Sequence, residues 1–138
     1  MGTSEGGLAV AITMRLDGRP RASVVNAGVL DHPLTGESSV GFVSRGGVRK
    51  LDDLRVQPAI TVVFRSGWEW VAVEGDATLL GPDDNPTGLE PAAILEIVRT
   101  CYASAVGGSP EQWAGLDQSF VAERHTAVLV RPYRVYGA

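Results

Sequence analysis

Ser39–Leu54, S-V-G-F-V-S-R-G-G-V-R-K-L-D-D-L, passes from a short apolar strand (Val40, Phe42, Val43) through a polar turn into one or two turns of helix. The turn is Ser44-Arg45-Gly46-Gly47. A strand–glycine–helix junction leaves backbone N–H groups pointing at whatever lies over the turn, and such groups hold anions. Arg45, Arg49 and Lys50 share the junction, and no carboxylate intervenes before Asp52, so the positive charge is not cancelled locally. The turn reads as a phosphate grip, or as a solvated basic turn on a β-protein.

Upstream of this junction the pattern is β. Leu8–Leu16 alternates, with Leu8, Val10, Ile12, Met14 and Leu16 on one face and Ala9, Ala11, Thr13 and Arg15 on the other. A period of two with large apolar residues on one side predicts a half-buried strand. Asp17-Gly18 supplies hairpin chemistry, and Pro20 opens the next strand, Arg21–Leu30, whose Ser23, Asn26 and Gly28 leave a small, polar face. That face suits either a flat ring or open solvent. Asp31–Glu37 reads as a loop, with His32 on the surface.

Downstream, Pro58 closes the short helix and Ala59–Phe64 reads as a buried strand. In the long strand Trp68–Leu80, Val71, Val73, Ala77 and Leu79 point to the core, while Trp68, Trp70, Glu74 and Asp76 point away. Aromatic residues on a non-core face mark a partner surface or a ligand wall. Pro91–Val106 has helical spacing and stops at Gly107-Gly108; Ser109-Pro110-Glu111-Gln112 restarts helix with a capping box. Trp113, Leu116 and Phe120 form an apolar stripe there. The last strand, Thr126–Tyr136, is expected to bulge or break at Arg131-Pro132, and His125 just before it reads as structural.

The chain has 138 residues, 44% of them hydrophobic, which predicts a polar, Gly-rich tail over residues 1–7 and one domain over 8–138. A net charge of -4 argues against a general nucleic-acid binder. No apolar run reaches membrane-span length and no signal-peptide pattern opens the chain, so a cytoplasmic protein with no membrane partner is expected. The single Cys101 makes no internal disulfide and lies in an apolar helical pattern, which predicts packing rather than catalysis. Two histidines and one cysteine, widely separated, do not form a usual transition-metal site. Nor is there a nucleophile–base pair or a pair of catalytic carboxylates, so no catalytic side chain is assigned.

The inventory is mainly β with added helices (α+β): about six antiparallel strands in a small barrel. Such a barrel has little room inside, so a ligand of flavin size must lie outside it, in a groove that a second subunit completes. If the Ser44–Lys50 turn is a phosphate grip and not a solvated basic turn, the phosphate it takes is that of a flavin-like cofactor.

In this order and spacing, D-G-R-P-R-A-S-V-V (Asp17–Val25), F-V-S-R-G-G-V-R-K-L-D-D-L (Phe42–Leu54) and P-A-I-T-V-V-F (Pro58–Phe64) resemble a known family. So do W-V-A-V-E-G-D-A (Trp70–Ala77) and V-L-V-R-P-Y-R-V-Y-G (Val128–Gly137). It is that of the split-barrel flavin/deazaflavin oxidoreductases related to pyridoxamine 5'-phosphate oxidase. The likeness is strongest to the actinobacterial branch that uses coenzyme F420. The resemblance implies an FMN-binding-like split β-barrel and a homodimer with cofactor sites at the interface. It places the cofactor phosphate on Ser44, Arg45, Arg49 and Lys50, the ring beside Ser23, Val24 and Val25, and Trp70 against a ring or tail from the neighbouring subunit.

The implied activity is an F420-dependent reductase that passes a hydride from the reduced coenzyme to a small unsaturated or quinone-like acceptor. FMN is the alternative cofactor. Hydride transfer needs positioning more than a protein acid or base, which fits the missing catalytic constellations. Two other readings stay open: a non-catalytic flavin- or tetrapyrrole-binding carrier, and a protein-interaction surface with no cofactor.

Overall fold

The computed structural model describes residues 6–138. Its strands are β1 (Gly6–Met14), β2 (Pro20–Asp31), β3 (Ser38–Ser44), β4 (Ala59–Ser66), β5 (Glu69–Leu80) and β6 (Thr126–Gly137). They close an antiparallel barrel in the order β1-β2-β3-β6-β5-β4, with β4 returning to β1. Helix α1 (Arg49–Val56) joins β3 to β4. Helix α2 (Pro91–Val106), a 3-10 turn (Pro110–Leu116) and α3 (Asp117–Ala122) lie between β5 and β6. The expected architecture, six antiparallel strands with added helices, is the one observed. Of the expected tail, residues 1–5 lie outside the described residues, whereas Gly6 and Gly7 already pair with Gly28 and Ala27.

The alternation of β1 holds, and it is the face of small residues that points inward. Ala9, Ala11 and Thr13 are buried, while Leu8 is 69% exposed and Val10 and Met14 are 37% exposed. The physical reason is the bore of a six-stranded barrel, which is narrow. Phe42, Val62 and Phe64 already fill it, so the facing strand contributes small side chains. The large residues of β1 point outward. β1 also ends at Met14 rather than Leu16, because Arg15 N–H donates to Arg19 O at 2.8 Å and turns the chain.

A second apolar layer lies outside the barrel under α2, where Ile94, Ile97, Val98 and Cys101 pack on Leu80, Ala127, Leu129 and Phe120. Burial pushes the Cys101 thiol up to about 12, in keeping with a packing role. The 3-10 turn restarts as expected, with Ser109 N–H donating to Gln112 Oε1 at 2.6 Å. β6 runs unbroken through Arg131-Pro132, and the irregularity is a bulge: Glu74 pairs with Arg134 and Gly75 with Pro132, leaving Tyr133 extra. Gly75 has no alternative there, since a Cβ would run into the Arg131 carbonyl.

His32 corrects another expectation. It is buried, not on the surface, and its Nδ1 accepts the Leu34 N–H at 3.1 Å, so the imidazole organises the β2–β3 loop. Among the described residues, no helix is long and apolar enough to cross a membrane.

Candidate functional site

The Ser44–Gly47 turn is docked against the corner between α3 and β6. Ser44 pairs with Thr126 at the start of β6, and Gly46 N–H donates to Glu123 O at 3.0 Å. The approach is so close that a Cβ on Gly46 would lie 2.7 Å from the Cβ of Arg124. Gly47 then takes φ 79°, which glycine adopts without steric cost. The Gly46 N–H is therefore spent within the chain. Among the described residues, those of Gly47 and Val48 have no partner, and no side chain caps α1 at Val48.

Next to this turn is a cleft of about 330 Å³. Ser44, Arg45 and Lys50 bring cationic and hydroxyl groups to it, and Val24, Val43 and Val48 form an apolar wall beside the β2 backbone at Val25, whose side chain points into the barrel core. Lys50 is half-buried over the Phe42 ring, with its Nζ 5.9 Å from the ring centroid. Burial pushes its pKa below the ordinary lysine value. Among the described residues no carboxylate lies within 4.0 Å of it, whereas Arg45 is exposed and stands 4.0 Å from Glu123. A cation desolvated without a partner gains most from an incoming anion. Lys50 is that cation.

Five of the eight residues singled out in the sequence thus share one cleft: Val24, Val25, Ser44, Arg45 and Lys50. The other three do not line it. Successive helical residues point about 100° apart. Arg49 accordingly faces a different hollow, on the other side of α1, with Arg15, Arg21 and Asp53. Ser23 lies across from Ala11, immediately before the cleft wall begins at Val24. Trp70 sits on β5, edge-on to Tyr136 with ring centroids 6.0 Å apart.

Four further residues line the cleft: Asn26, Tyr102, Ala105 and His125. Tyr102 reaches it from α2, and helical periodicity alone could not show which of the α2 residues would do so. His125, expected to be structural, lines the cleft and lies edge-on to Phe120 with ring centroids 5.1 Å apart. Burial lowers its pKa, and Arg45 adds to this, against opposing effects of Glu123 and the Phe120 carbonyl.

The cleft borders a large uncovered surface. α2 lies over one side of the barrel, and starting beside it at Val24 the outer face carries the row Val24–Val10–Val63–Ala72–Tyr136, placed side by side by the strand register, with the small Ala72 covered by its neighbours. Leu8, Met14 and Trp70 flank this row, and Trp68 at the β4–β5 turn is 96% exposed. Apolar strand faces of this extent mark contact surfaces. Val24 belongs to both the row and the cleft wall.

No family model matches the chain, and no curated protein matches it. Solved structures do. A conserved hypothetical protein of Mycobacterium tuberculosis is similar with a TM-score of 0.69 at 18% identity, over 94% of this chain and 75% of the other. A pyridoxamine 5'-phosphate oxidase-related, FMN binding protein of Nostoc punctiforme gives 0.62 at 18% identity, over 94% and 73%. A heme binding protein of Mycobacterium smegmatis gives 0.63 at 20% identity, over 98% of this chain but only 49% of its own length. Six closed antiparallel strands, a helix after β3 and helices before β6 therefore give this chain the split-barrel fold of the pyridoxamine 5'-phosphate oxidase-like, FMN-binding proteins.

Proposed function

We propose that the chain is an oxidoreductase that works as a homodimer, holds coenzyme F420, or alternatively FMN, in the cleft beside Lys50, and serves a small unsaturated or quinone-like acceptor. The observation that carries this reading is Lys50 itself, half-buried and without an acid partner, in a cleft whose other wall is apolar. The group fits the residues present. Lys50, the Ser44 hydroxyl and the free N–H groups of Gly47 and Val48 suit a phosphate, and the Val24 side chain with the β2 backbone at Val25 suits the face of a ring. The preference for F420 rests on the sequence blocks quoted above.

When bound, such a cofactor supplies hydride transfer, and the protein's part is orientation, electrostatics and shelter from water. Lys50 holds the anionic end, and Val24 with the β2 backbone at Val25 fixes the ring plane. Arg49, on the far side of α1, contributes only long-range charge. A second copy of the chain seated on the Val10–Tyr136 row would roof the cleft, because Val24 lies where row and cleft meet. Trp70, at the edge of that row, is then placed to reach the partner's site.

A second reading, a non-catalytic carrier of a flavin or tetrapyrrole, draws support from the likeness to the heme binding protein. Turnover separates the two. Catalytic amounts of protein mixed with excess reduced F420, or reduced FMN, and a naphthoquinone are expected to consume many equivalents of quinone. Saturable cofactor binding without turnover would favour the carrier.

A further inference from the structure

Lys50 is the only lysine in the chain; at every other Lys or Arg position, from Arg15 to Arg134, the residue is arginine. An anion grip alone does not call for that exception. A guanidinium holds a phosphate through a planar fork and keeps its proton, whereas an amine is a point charge that can give its proton up. What lysine adds at this one place is a nucleophilic lone pair on nitrogen.

The surroundings suit that lone pair. Lys50 lies in the first turn of α1, and the Cα–Cβ bonds of a helix lean toward its N-terminus, so the side chain is directed back along the Ser44–Gly47 turn. It is half-buried at the wall of the cleft, over the buried ring of Phe42. None of the residues that line the cleft is an acid, so nothing there holds Lys50 as an ammonium, and its burial favours the uncharged amine. The Ser44 hydroxyl and the unpaired N–H groups of Gly47 and Val48 stand at the same turn.

We propose that Lys50 is a carbonyl-reactive amine and that the cleft captures a short aliphatic aldehyde bearing a phosphate, as an imine on Lys50 Nζ. The phosphate sits on the N–H groups of Gly47 and Val48 and on the Ser44 hydroxyl. Those donors and Nζ belong to one turn, so only a few bonds separate phosphate from carbonyl. The Nζ lone pair adds to the carbonyl carbon, and the carbonyl π electrons pass to oxygen, which takes one proton of the amine. The resulting hydroxyl leaves as water with a proton from solvent, the C=N bond forms, and the second amine proton returns to solvent. One water is released and nothing is oxidised or reduced. The aldehyde would compete with a phosphate-held cofactor for the turn, but its capture does not depend on the cofactor reading.

The test incubates the full chain with glycolaldehyde phosphate at about pH 7.5, traps the imine with cyanoborohydride and locates the adduct by peptide mass. The α-amine of the chain is the internal reference, because its ordinary pKa of about 7.7–8.0 leaves it far more reactive there than a lysine at about 10.4. In the folded protein Lys50 is expected to be labelled faster than the α-amine, and in guanidinium chloride the order should reverse. The ratio of Lys50 to α-amine labelling should fall at least about tenfold when glycolaldehyde replaces its phosphate ester, since only the ester is held in place. Inorganic phosphate should slow labelling at Lys50 and leave the α-amine unchanged. Slower labelling of Lys50 than of the α-amine in the folded protein overturns the proposal. So does a ratio that is indifferent to unfolding, to removal of the phosphate ester or to inorganic phosphate. Binding of F420 or FMN, read by titration of the cofactor, stands or falls separately.

Discussion

Asp53, on the buried side of α1, accepts a hydrogen bond from Arg21 Nε at 2.7 Å, and a second from Thr13 Oγ1 at 2.8 Å. The helix that carries Lys50 is thereby tied to the first hairpin of the barrel. Burial pushes the Asp53 carboxyl up, but the hydrogen bonds of Arg21 and Thr13 and the charges of Arg21 and Arg15 outweigh it and hold the pKa below the usual value.

This pair sets an acid-sensitive part of the stability. A carboxyl depressed in the folded state contributes fully above its unfolded pKa, about 3.9, and loses that contribution as pH falls through the folded value. Asp53→Asn is expected to cost roughly 2 kcal/mol at pH 7, since it weakens hydrogen bonds to a charged group. In urea titrations, the gap between native and variant protein should narrow below about pH 4. A gap independent of pH would contradict the assignment.

Lys50 and Arg49 are neighbours in sequence but face different hollows, so their substitutions should separate. Lys50→Met is expected to weaken F420 or FMN by about 1.5–3 kcal/mol, the range of a charge-assisted hydrogen bond. Arg49→Met should change affinity by less than about 1 kcal/mol, as an exposed charge at long range does. Isothermal titration of both variants decides it, and equal effects would contradict the placement of Arg49.

The outward row on β1 predicts self-association. Native protein at micromolar concentration should sediment as a dimer, and Val10→Glu as a folded monomer, because the new carboxylate would be buried there without a partner. A monomeric native protein would remove the basis for a roofed cleft.

Cys101 should be inert. With a thiol pushed up to about 12 and fully buried, it is expected to resist alkylation at pH 8 in the native protein and to react on addition of denaturant. Rapid native-state labelling would show that α2 opens.

Periodicity made the strands legible, but not always which face was inside. In β5 the Val71–Leu79 face does point inward; in β1 it is Ala9, Ala11 and Thr13 that do, because bore size, a property of the closed barrel, decides where large residues fit. His32 looked like a loop residue by composition, and only the folded loop shows its imidazole accepting a backbone N–H. The proposal of an anion grip at the Ser44–Lys50 turn comes from local signals, its glycines and cations. That Gly46 spends its N–H on Glu123, 77 positions later in the chain, was not legible, and nor was the arrival of His125 beside Lys50, since both depend on how the α3–β6 corner packs.

The central claim is that the cleft beside Lys50 holds a phosphorylated flavin or deazaflavin. It is tested most directly by titrating F420 and FMN against native protein and Lys50→Met, following the cofactor's own fluorescence. The account predicts saturable binding of at least one cofactor, F420 in preference, weakened roughly tenfold or more in the variant. Absence of binding by both cofactors, or equal affinity in native protein and variant, would contradict it.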